Sequence, residues 1–115
     1  MHTLRYAEIM EDDQQEARQR ERFALDRSIT LLELAAVEGA SAADVAAAIV
    51  FTSKLWTILI EDLANPGNGL PKPLRGQIIS IGIWILRELD GLRNAPEAKF
   101  DDIISVSKAI RDGLL

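Results

Sequence analysis

The chain has no cysteine and a single histidine, His2. The first absence removes disulfides, thiol nucleophiles and thiolate metal sites together. The one histidine lies beside the initiator methionine in a segment expected to fray, which effectively excludes histidine-based general-base, triad and metal chemistry. There is no basic surplus either: eighteen acidic residues against thirteen basic ones give a net charge of −5. Nucleic-acid binders use Lys and Arg to neutralise phosphates, so direct RNA or DNA binding is not expected. No apolar run approaches the roughly 20 residues that span a bilayer, and the acidic N-terminus lacks a signal-peptide core. A cytoplasmic protein without a membrane partner is expected. The adjacent acidic pairs Asp12/Asp13, Glu61/Asp62 and Asp101/Asp102 are solvated or capping charges; neighbours on a helix diverge by about 100° and do not converge on a site. No acidic cluster has calcium-loop spacing. Gly67 and Gly69 follow a helical pattern, not a strand, which argues against a phosphate loop. No cofactor, no metal and no enzymatic activity are expected.

What is present is helical periodicity. The 115 residues suit one domain, 1–115, with a single modest core. A first helix is expected from Thr3 or Asp13 to about Glu38, with Leu25, Ile29, Leu32 and Ala36 on one face. Its N-terminal half mixes charges, as in Glu16/Arg20. That half is expected to be solvated, mobile over the first 12 residues or so, or completed by a partner. Gly39 ends this helix as a left-handed cap, and Ser41 opens the second with Asp44 three residues on. The second helix runs to about Ala64, with Val45, Ile49, Thr52, Trp56, Leu59 and Leu63 on one stripe. Asn65 to Gly69 is a turn in which Gly67 can take φ > 0. Pro71 and Pro73 open a third helix that reaches about Leu92. Pro96 bars continuation, and Asp101 caps a fourth helix that ends before Gly113. The expected fold is all-α: a four-helix single domain built around a central antiparallel hairpin of helices two and three.

The two tryptophans differ in phase. Trp56 shares a line with Ile49, Leu59 and Leu63 and reads as a core anchor. Trp84 shares its line with Gln77, Ser80, Glu88 and Gly91, the polar side of the third helix. It is either covered by the first or fourth helix or held for a partner, a role suited to tryptophan. Gly82 and Gly91 weaken the helix and mark either close helix contacts or chance.

The residues around that hairpin also carry a likeness. Leu55-Trp56-Thr57-Ile58-Leu59, Asp62-Leu63-Ala64 and Asn68-Gly69-Leu70-Pro71 with Leu74-Arg75 resemble the central signature of the FlaF family of flagellar biosynthesis regulators. Gln77 to Ile85 and Ile104 to Ile110 with Gly113-Leu114 resemble its continuation. Tyr6-Ala7 and Arg20 to Leu25 resemble its weaker N-terminal pattern. Thr52, Ser53 and Ser107 depart from the family's asparagine, basic residue and asparagine. The resemblance implies post-transcriptional action on flagellin, with flagellin as partner and FlbT as a second. Three readings follow: a flagellin secretion chaperone, a translational regulator working with FlbT, and a helical scaffold self-associating through the first helix. For the first, the expected partner-binding residues are Trp84 as anchor, Arg75 and Arg87 as polar rim, and Leu55 if its stripe lies uncovered.

Overall fold

In the computed structural model, backbone is described for residues 2–93 and 99–114, and side chains for 14–93 and 99–113. Four α-helices account for nearly all of it: α1 (His2–Ala36), α2 (Ala42–Ala64), α3 (Lys72–Leu92) and α4 (Asp101–Leu114). No strand occurs among the described residues. Pro96 and the expected mobility of the first dozen residues fall outside what is described; α1 itself is helical from His2.

The punctuation of the chain explains the breaks. Gly39 takes φ +79°, which glycine reaches without the Cβ penalty. The Ser41 hydroxyl accepts the Asp44 N–H at 3.0 Å, satisfying one of the free donors at the start of α2. Two expectations are corrected at the other ends. After α2 the chain makes a 3-10 turn, Pro66–Asn68, and the left-handed residue is Gly69 (φ +91°), not Gly67. The Asn65 side chain accepts the Gly67 N–H at 2.9 Å and its carbonyl the Asn68 N–H at 3.0 Å, which keeps Gly67 within the 3-10 turn and leaves the left-handed position to Gly69. Asp101 lies inside the first turn of α4 with Asp102, where acidic side chains favour the helix dipole. That helix runs through Gly113 to Leu114 without stopping.

α2 is the centre, packed between α1 on one side and α3 on the other, while α4 packs on α1. Arg111 reaches Asp26 at 3.1 Å and Lys108 reaches Glu33 at 3.6 Å, so α4 runs antiparallel to α1. The core gathers Leu25, Ile29 and Leu32 of α1, Trp56 and Leu59 of α2, Ile85 and Leu89 of α3, and Ile103 of α4. Trp56 is fully buried. Gly82 is what admits it: a methyl group there would come within 2.7 Å of Trp56 Cε3 and 3.0 Å of the Ile60 side chain. Gly91 has nothing within 4 Å and marks no contact.

One expectation about α2 changes. Ala42–Ala64 is long and apolar enough to cross a membrane, with a mean hydropathy of 1.6 over its best window; scattered polar residues had hidden this. Here a third of that window is buried in the bundle, where α2 packs on α1 and α3, while Val50 and Ile58 stay exposed.

Candidate functional site

The expected contact residues do not form one patch. Leu55 is 8% exposed and belongs to the core, so its stripe is covered and the condition attached to it is not met. Arg75 turns inward: its guanidinium donates to the Leu63 and Asn65 carbonyls at 3.3 and 3.0 Å. The Leu63 carbonyl lies in the last turn of α2, where acceptors lack intrahelical partners, and the Asn65 carbonyl also accepts the Asn68 N–H, so Arg75 closes a helix end and does not rim a surface. Trp84 is half-buried, packed against the core with part of the residue exposed. Arg87 is exposed, in a hollow between α2 and α3 with Ser53, Ile83 and Leu86.

A site the sequence reading missed lies on the other flank of α3. Because α4 leans on α1, the edge between α3 and α4 stays open. A groove of about 420 Å³ runs there, walled by Leu74, Gln77 and Ile81 of α3 and by Val106, Ala109 and Gly113 of α4. Ile78 and Ile110 form its floor, and both also line a small apolar cavity behind it against Trp56 and Leu59. Gln77 is the single side chain with a polar group among these residues. The signal in the sequence was the spacing of Val106, Ala109, Ile110 and Gly113, which continues the apolar edge of α4 beyond what a buried helix needs. Small residues at Ala109 and Gly113 make room for a further helix to approach.

At the same end, a polar network ties α1 to the turn. Arg18 pairs with Glu21 and donates to the Asn68 carbonyl at 2.8 Å and to its side-chain oxygen at 3.2 Å. Asn68, itself buried, donates to Asp62 at 2.8 Å. Burial raises the Glu21 carboxyl above its ordinary value, Arg18 opposes that, and the nearby Asp62 carboxylate adds to it. Hydrogen bonding to Arg111 lowers the pKa of Asp112. Among the described residues four buried side-chain atoms have no hydrogen-bond partner: Thr52 Oγ1, Trp56 Nε1, Arg75 Nε and Ser107 Oγ. Two of these sit at the departures from the family pattern. No group of three His, Cys, Asp or Glu that could hold a metal occurs among the described residues.

These features define a small four-helix bundle with three closed edges and one open apolar edge. Comparison of the sequence with known families then places it: the model of the flagellar protein FlaF matches residues 2–114, and the chain belongs to the FlaF family. No match was found among curated proteins or among solved structures.

Proposed function

We propose that this chain is a non-catalytic, cytoplasmic flagellin-binding adaptor that regulates flagellin after transcription by holding it for secretion. Family membership supplies the flagellar context. The observation that carries the binding mode is the open α3–α4 groove. An amphipathic helix needs an apolar trough with a polar rim. The groove offers the trough, with Leu74, Ile78 and Ile81 facing Val106, Ala109 and Ile110 across it and Gln77 as its one polar side chain. A flagellin helix seated there would supply the missing edge of the bundle and cover surface that is costly to leave in water. Trp84 does not line the groove; it follows Ile81 by three residues on α3 and is suited to contact a client helix that extends past the groove's end.

The test is co-expression with flagellin, with and without FlbT, followed by size-exclusion chromatography. The expected result is a complex that forms without FlbT. Ala109→Glu, which places a charge on the groove wall, should weaken it at least about tenfold, or about 1.4 kcal/mol, while the variant keeps its helical circular dichroism. A complex that requires FlbT favours the translational reading. A chain that always elutes alone sinks the chaperone reading.

A further inference from the structure

On the opposite flank of α3, two hollows of about 590 and 370 Å³ adjoin at Arg93 and together follow the α2–α3 seam. Their apolar surface comes from Val45, Ile49 and Val50 of α2 and from Ile83 and Leu86 of α3. Val50 and Ile83 are 46% and 41% exposed, large apolar side chains left open to water. The rim is basic. Arg87 and Arg93 line the seam, and the exposed Lys54 lies one helical turn from Val50. Among the described residues none of these three has an ion-pair partner. Asp90 is the one acidic residue lining the seam. Three unpaired cations around an apolar trough, in a chain of net charge −5, fit an acidic apolar helix.

Such a helix lies at the other end of the same molecule. α1 meets the hairpin turn where the Gln14 side chain lies against Gly69. His2–Asp13 continue the helix for twelve more residues, about 18 Å at 1.5 Å per residue, which accounts for the 60 Å long axis of the molecule. Between Arg5 and Arg18 the sequence has five acidic residues, Glu8, Glu11, Asp12, Asp13 and Glu16, and no basic one. Tyr6, Ile9 and Met10 have the spacing of one helical face. A helix of that length is marginal in water unless its apolar face is buried. It cannot reach its own seam: counting rise along α1 and α2, Ile9 and Val50 stand roughly 30 Å apart.

We propose that the acidic N-terminal extension of α1 in one copy docks in the basic-rimmed α2–α3 seam of a second copy, and reciprocally. Turning the second copy antiparallel brings each extension to the other's seam, so the contact closes as a two-fold dimer and does not propagate. The opposite charges steer the docking, and Val50 and Ile83 gain the cover they lack. The dimer leaves the α3–α4 groove free and is independent of what fills it.

The test is light scattering of the full chain over a concentration series at low and high salt. A dimer that weakens as salt rises is expected, because the rim pairs are screened. Reversing Arg87 and Arg93 to Glu should raise the concentration needed for dimer at least about tenfold; so should reversing Glu11 and Asp12 to Lys. Combining the four changes should restore it. The absence of cysteine gives a second measurement: mixed Ile9→Cys and Val50→Cys chains should form a disulfide between copies. Phe23→Glu, on the outer face of α1, should leave the dimer unchanged. A monomer at every concentration, a dimer indifferent to salt and to the reversals, a missing Ile9–Val50 link, or a dimer lost with Phe23→Glu would each overturn the proposal. Loss of flagellin binding in Ala109→Glu reads the other groove and leaves this one untouched.

Discussion

At the level of single residues the packing turns on Gly82 and the titration on Glu21. Replacing Gly82 with alanine adds helix propensity but drives a methyl group into Trp56 and Ile60. Overpacking of this kind costs about 1–3 kcal/mol, more than the roughly 1 kcal/mol of propensity gained. Urea unfolding should show a net loss for Gly82→Ala and a gain approaching 1 kcal/mol for Gly91→Ala, where the space is open. Glu21 makes a separate statement. Its folded pKa is raised, chiefly by burial, so the folded chain holds a proton that the unfolded chain releases. Stability from this group is present below its ordinary value of 4.5 and is lost as pH rises through the window up to the raised value. The melting-temperature difference between the wild type and Glu21→Gln should therefore change across that window and flatten above it; a difference constant with pH counts against it. Trp56 was legible at this scale because three apolar residues shared its helical line. Leu55 and Arg75 were not, since periodicity says which side chains share a face but not what covers that face. For Arg75 the decisive fact is two carbonyls at the end of the preceding helix, reached only after the chain has reversed.

At the level of helices, the boundaries of α2 and α3 were readable because Ser41, Pro66, Pro71 and Pro73 act through local backbone chemistry. The start and end of α4 were not. Asp101 and Gly113 carry capping residue types, yet Asp101 serves the first turn and Gly113 is carried within the helix. α4, like α3, packs mainly on a single neighbouring helix, and it does so over a shorter length. It rests on α1 through Arg111–Asp26 and Lys108–Glu33, both partly exposed pairs of modest worth, and through Ile103, Ser107 and Ile110. Its α3 flank is open. In native-state hydrogen exchange, the amides of residues 103–112 should open at lower free energy than those of residues 48–60 in α2. Equal protection would mean that α4 is bound more tightly than its contacts suggest. A ligand in the α3–α4 groove should raise protection in α4 selectively.

At the level of the whole molecule, the four-helix reading and its central hairpin followed from pattern alone, because each helix carries one clear apolar stripe. The open edge did not. Stripe widths give how much surface a helix can bury, whereas the choice of neighbour for α4 depends on the complementarity of Asp26 and Glu33 with Arg111 and Lys108, pairs separated by most of the chain. The same limit hid the two grooves that flank α3, one apolar and one basic-rimmed. A single helix thus offers its two sides to two different kinds of contact. That leaves room for self-association and client binding to coexist on one small chain.

The link between Arg111 and Asp26 spans 85 residues, and it carries a consequence for how the protein is made. Helices α1, α2 and α3 can join through short connections as they emerge, since hairpin contacts close quickly. The face of α1 that receives α4 must wait until α4 itself has been made. During every round of synthesis Leu25 and Ile29 therefore pass through an interval in which one side of them is bare, and the fourteen-residue α4 is the step that closes the bundle. A chain that lost those residues would be left with an adhesive, half-finished bundle.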